Sequence, residues 1–85
     1  MSMVQEIHTA AYHAQAEIDK NMAQLTAYSN EMKSIESKLR AVTEGSSTGI
    51  DTKTLNQLRE TINTVNKTIN TLMIAKQKLD VIKRI

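Results

Sequence analysis

Two long stretches of the sequence carry an apolar residue at every third and then every fourth position, and one short polar segment separates them. The separating segment, residues 44–51, holds both glycines of the chain. Spacings of three and four are the heptad pattern of a helix that packs along its length against another helix. Because the break is short, the second helix is expected to fold back on the first. The pattern therefore predicts an all-α fold, an antiparallel two-helix hairpin of the coiled-coil type.

The chain of 85 residues is expected to form a single domain. The predicted elements are helix 1 at about 3–43, the loop at about 44–51 and helix 2 at about 52–85, within one hairpin of residues 1–85.

The ends of the predicted helices carry capping residues. Ser2 is a suitable N-cap for helix 1, and Gly45 stands where a left-handed residue commonly follows a helix. Asp51 is the corresponding N-cap of helix 2. Ile50 and Leu55 flank it at the spacing of a hydrophobic staple.

The same spacing predicts which side chains meet between the helices. The predicted hairpin seam comprises Leu25, Tyr28, Met32, Ile35, Leu39, Leu55, Leu58, Ile62, Val65, Ile69, Leu72 and Leu79. Asn21 and Lys76 interrupt the stripes, and folding back at the loop brings them to about the same level. They are expected to form a polar layer that fixes the register. The alternative is that Lys76 extends its ammonium group into water and leaves the layer wet.

Two helices cover each other on one side only, and a small chain without cysteine has no disulfide to stabilise it. The end of helix 2 is apolar on its outward face as well as at the seam, which is typical of a helix that is covered on both faces. The predicted partner interface comprises Tyr12, Met73, Ile74, Val81, Ile82 and Ile85. The alternative is that these are scattered apolar residues of an ordinary surface. We expect an interface, and with it a four-helix or larger bundle formed by self-association or with a partner.

No residue pattern indicates chemistry. The absence of cysteine excludes thiolate metal sites, and His8 and His13 lie five residues apart, which places them on different faces of a helix. Neither a nucleophile elbow nor a glycine-rich phosphate loop is present. We therefore expect no enzyme, no catalytic residue, no cofactor, no metal and no small-molecule substrate.

The charge of the chain is small, with a formal net value of +2. A basic cluster of Lys76, Lys78, Lys83 and Arg84 stands at the end of helix 2, where cations complement the helix dipole. A nucleic-acid-associated protein would use this cluster. We do not expect that function, because no aromatic platform or recognition motif accompanies the charges.

The sequence begins without the charged and apolar regions of a signal peptide, and no apolar run is long enough to span a bilayer. These features predict a cytoplasmic protein with no membrane span, or one exported by a specialised secretion system.

A hairpin of this size, with one glycine-containing turn and no cysteine, resembles the small helical-hairpin proteins of type VII secretion, the WXG100-like proteins and the partners of LXG toxins. The resemblance covers the whole chain and concerns its architecture. The turn reads Glu44-Gly45-Ser46, without a tryptophan before the glycine, and no Tyr-x-x-x-Asp motif follows helix 2. The resemblance implies a role as a secretion chaperone or targeting partner.

The sequence thus predicts a non-enzymatic protein–protein interaction module that binds another helical protein or itself. The alternative from a different class is a self-assembling structural subunit, of a filament or of a phage-type assembly.

Overall fold

The computed structural model describes residues 2–45 and 52–84, except the side chains of residues 43–45 and 52. Within these residues the chain forms two α-helices and no strand, α1 at Met3–Gly45 and α2 at Thr52–Lys83. The helices lie side by side and antiparallel in a rod of 67 × 15 × 13 Å. The predicted all-α hairpin is confirmed.

The helix ends differ slightly from the predicted bounds. Ser2 caps α1 as predicted, because its hydroxyl oxygen accepts a hydrogen bond from the amide of Gln5 at 3.2 Å. α1 continues through Gly45, which is its last helical residue rather than the residue that follows the helix. α2 ends at Lys83, and the Arg84 amide donates to the carbonyl of Val81 at 3.1 Å. The predicted cap at Asp51 and its staple residue Ile50 lie outside the described residues.

Three pairs of opposing side chains define the register of the hairpin. Gln15 contacts Asp80, Ser29 contacts Asn66 and Glu36 contacts Arg59. Between the first pair and the second, both helices advance by two heptads, and between the second and the third by one. The helices therefore stay in step along the rod, without a slip or a bulge.

On α2, the seven apolar residues predicted for the seam are buried or half-buried. Leu55 and Ile62 are the most enclosed of them. On α1 the half-buried residues include Leu25, Met32 and Leu39. These side chains form the narrow apolar core between the two helices. Burying their apolar area is the main stabilising contribution available to a two-helix hairpin.

The other predicted seam residues of α1 lie outside the seam, and this corrects the prediction. Tyr28 is 63% exposed and Ile35 is 44% exposed, whereas Gln15, Ser29 and Glu36 are buried. α1 is thus rotated about its axis so that the residues directly after Tyr28 and Ile35, which are Ser29 and Glu36, face α2. The physical reason is that each of these buried polar side chains bonds to a matching group on α2, which offsets the cost of its burial.

Candidate partner-binding surface

The seam has two flanks, and the one that carries its polar contacts is here called the polar side. At the open end of the hairpin, away from the loop, Gln15 donates through Nε2 to Asp80 Oδ1 at 2.7 Å and to the carbonyl of Lys76 at 3.0 Å. Lys83 donates through Nζ to Gln15 Oε1 at 2.6 Å, and its ammonium lies 4.3 Å from the centre of the Tyr12 ring. The hydrogen bond from Gln15 and the neighbouring Lys83 hold the pKa of Asp80 below its usual value.

Lys76 takes part in this network but does not meet the predicted residue. Its Nζ atom lies 2.7 Å from Asp19 Oδ1, in an exposed ion pair, while Asn21 is exposed. The predicted polar layer of Asn21 and Lys76 is therefore wrong for Asn21, the residue on α1. The rotation of α1 turns Asn21 away and brings Asp19 and Gln15 against α2 in its place.

The polar side continues to the loop end. Ser29 donates through Oγ to Asn66 Oδ1 at 3.0 Å. Further along, Arg59 Nη2 and Arg40 Nε donate to the same oxygen of Glu36, Oε1, at 2.7 and 3.0 Å. These guanidinium groups, Arg59 first, hold the pKa of Glu36 below its usual value. An open groove of about 570 Å³ lies here, lined by polar side chains that include Lys33, Glu36, Arg59 and Asn66 and by the apolar Ile62.

The opposite flank, here called the apolar side, carries the part of the α1 stripe that the rotation leaves out of the seam. Its α1 members recur every seventh residue: Ile7, Ala14, Asn21, Tyr28, Ile35 and Val42. The four large apolar members are between 44% and 63% exposed. At the open end these residues border a groove of about 310 Å³ whose lining is entirely apolar, formed by Ile7, Ala10, Ala11, Ala14, Leu79 and Ile82. The large α1 side chains of the apolar side are therefore exposed to solvent at intervals from Ile7 to Val42.

α2 contributes an uncharged wall to the apolar side, in which Thr61, Thr68, Ala75 and Ile82 recur every seventh residue. The hydroxyl groups of Thr61 and Thr68 donate to the carbonyls four residues earlier, each at 3.0 Å. Thr64 makes the same bond one turn along from Thr61. Because the hydroxyls are bonded within α2, the methyl groups are left to meet the surroundings.

A second exposed apolar feature lies on the back of α2. Ile74 and Val81, here called the outer stripe, are 53% and 59% exposed and point away from α1, because Leu72 and Leu79 occupy the seam. They are seven residues apart on one face, so their side chains lie about 10 Å apart along the helix.

The remaining members of the predicted interface lie on other surfaces. Tyr12 and Met73 are exposed on the polar side, and Ile82 is half-buried beside the apolar groove. Ile85 lies outside the described residues. The structure thus divides the predicted interface among three surfaces.

Sequence reasoning missed the polar partners of the seam, although a signal for them exists. Gln15, Ser29 and Glu36 stand at heptad spacing on α1, and Arg59, Asn66 and Asp80 stand at heptad spacing on α2. Two polar heptad series beside two apolar ones indicate a seam with polar contacts. The apolar pattern alone pointed to the neighbouring position.

The residues described by the structure include no group of three His, Cys, Asp or Glu side chains that could hold a metal ion. Neither α1 nor α2, as described, has a stretch long and apolar enough to cross a membrane.

The chain matches no protein-family model, and no curated protein or solved structure is significantly similar to it.

Proposed function

We propose that this hairpin is a non-enzymatic protein-interaction module that binds a helix of a partner protein. The observation that carries the proposal is the outer stripe, Ile74 and Val81, whose branched side chains are half-exposed on a face that α1 cannot reach. Fully burying such a side chain is worth about 1.5–3 kcal/mol. A straight stripe with a spacing of seven residues matches the face of another helix. Helical packing is thus the mode of binding that this surface favours.

The resemblance to hairpins of type VII secretion supports a more specific role, as a secretion chaperone or targeting partner. In such a role the hairpin would hold a helical region of a second protein. The proposed partner is then a protein exported together with it.

The contacts of the basic cluster within the hairpin make nucleic-acid binding a weaker candidate function than the number of basic residues in the sequence suggests. Lys76 pairs with Asp19, while Lys83 bonds to Gln15 and lies over the ring of Tyr12. Two of its four cations are therefore engaged within the hairpin, and protein binding remains the proposal.

The second candidate is the self-assembling subunit, and one observation favours it. Apolar surface occurs both on the apolar side and on the outer stripe, so copies of the chain could join through two different faces. Contacts that join two different faces produce open-ended assemblies when the rotation between copies does not close into a ring. Light scattering after size-exclusion chromatography separates the candidates, because a filament subunit gives a series of masses that grows with concentration.

The test of the interaction module uses two matched double variants. Ile74→Glu with Val81→Glu charges the outer stripe, and Asn63→Glu with Asn70→Glu adds the same charge at the same spacing on an exposed face of α2. Each tagged protein is exposed to a lysate of its native host, and bound proteins are identified by mass spectrometry. We expect a helical protein that the wild type and the control retain and the outer-stripe variant loses, with binding weakened at least a hundredfold.

Circular dichroism of both variants should show unchanged helix content, because all four positions are exposed. If the outer-stripe variant keeps the wild-type partner, the stripe does not bind it and the proposal fails.

A further inference from the structure

The surface area of the chain exceeds that of a compact protein of the same mass, because the hairpin is a narrow rod. The hairpin exposes 6365 Å². A compact monomer with its mass of 9.5 kDa exposes about 5,000 Å² by the usual scaling of area with mass. The excess is therefore about 1,300 Å² per chain. Permanent homodimers bury about 1,000 Å² or more per subunit.

The apolar side is the surface on which this area can be covered. It runs the length of both helices, and its heptad positions carry no charged residue on either wall: the series from Ile7 to Val42 on α1 and from Thr61 to Ile82 on α2. The polar side, by contrast, presents Lys33, Arg59 and Asp19. Covering the apolar side therefore desolvates no charge at these positions, which avoids the main cost of burying surface.

The apolar side also supplies both parts of a self-complementary contact. The alanine-lined groove at the open end, formed around Ala10, Ala11 and Ala14, is a depression. The large side chains of Tyr28 and Ile35 project from the same side. A two-fold symmetric interface requires that one patch provide both projections and depressions, since each copy meets the identical surface. The absence of charge means that two identical copies do not repel each other there.

We propose that the apolar side is covered by a second copy of this chain, which gives a closed dimer with a four-helix core. The dimer extends the proposed function, because Ile74 and Val81 lie on the back of α2 and remain exposed for a partner. The two ideas rest on different surfaces and can fail separately.

Light scattering after size-exclusion chromatography tests the dimer directly. We expect the wild type to show twice the 9.5 kDa chain mass. Tyr28→Glu with Ile35→Glu should raise the dissociation constant about a thousandfold or more, because each dimer would lose four apolar contacts and gain four buried charges. Asn30→Glu with Ser37→Glu is the control, since it adds the same charge at the same spacing on the other flank of α1. The control should remain a dimer.

A second measurement protects the test if the charged variant fails to fold. The thermal midpoint of a wild-type dimer rises with protein concentration, because association stabilises the folded state, whereas that of a monomer is constant. A concentration-independent midpoint, a wild type of single-chain mass, an open-ended series of masses, or a folded apolar-side variant that stays dimeric would each overturn the dimer. The outer-stripe variant should remain dimeric while losing its partner, which separates the two proposals.

Discussion

The two flanks of the seam differ in how their exposed groups are satisfied, although the same two helices build both. On the polar side, Gln15 and Glu36 each bond to more than one group. Each of them has at least one bonding partner on α2. On the apolar side, Tyr28 and Ile35 have only solvent available at their outer surfaces. A hairpin can thus complete its polar contacts internally and still leave its apolar surface incomplete. Directional bonds thus accompany the rotation of α1, while the apolar area that this rotation leaves exposed is the surface proposed for binding.

The largest effect on stability should come from the apolar core of the seam, which lies between the two flanks. Ile62→Ala should lower the free energy of unfolding by about 2–5 kcal/mol, because Ile62 is 5% exposed and its loss leaves a cavity. The neighbouring Asn63→Ala should change it by less than about 0.5 kcal/mol, since Asn63 is exposed. Urea denaturation of both variants measures the difference. Equal losses would mean that the seam is assigned to the wrong face.

The polar side should make the hairpin sensitive to acid in a way that the apolar side does not. The pKa of Glu36 is lowered from an ordinary 4.5, so its contribution is present above that value and is lost as the pH falls through the lower pKa of the folded state. The thermal midpoint of Glu36→Gln should therefore lie below that of the wild type at pH 7, and the gap should narrow between pH 5 and 3. Glu31→Gln, an exposed site on the same helix, controls for the loss of one negative charge. A gap that widens in acid would contradict the role assigned to Glu36.

The smallest effect should come from the exposed ion pair at the open end. Asp19→Asn removes the partner of Lys76 and should cost about 0.2–1 kcal/mol at low salt. In 1 M salt the difference from the wild type should nearly vanish, because exposed charges are screened. Denaturation midpoints at the two salt concentrations give the answer. A loss that persists in high salt would show that Asp19 acts through packing rather than through its charge.

The fold could be predicted because both helices repeat one periodic signal and the segment that contains the two glycines is the one break in it. The α2 seam followed from the same signal, since Leu55, Leu58 and Ile62 have no competing apolar neighbours on another face. The α1 seam did not, because two adjacent heptad positions compete for it. One carries Tyr28 and Ile35, and the other carries Ser29 and Glu36.

The choice between these positions depends on the partners that α2 offers. Asn66 and Arg59 satisfy Ser29 and Glu36, and that pairing becomes visible only when the two helices are set in register. The outer stripe could be placed from the sequence because its direction depends on α2 alone. The apolar side could not be placed from the sequence, because it consists of the α1 stripe residues that the rotation of α1 keeps out of the seam.

Four threonines of α2 have a consequence for any surface that would cover them. Thr61, Thr64, Thr68 and Thr71 each donate to a carbonyl within their own helix. Their hydroxyl donors therefore keep the same acceptor whether the wall faces water or protein. Covering these threonines or exposing them therefore leaves no hydroxyl donor without an acceptor, which keeps the cost of removing these side chains from water small. A proposed second copy that covers these threonines would therefore meet their methyl groups and would not need to supply acceptors for their hydroxyls.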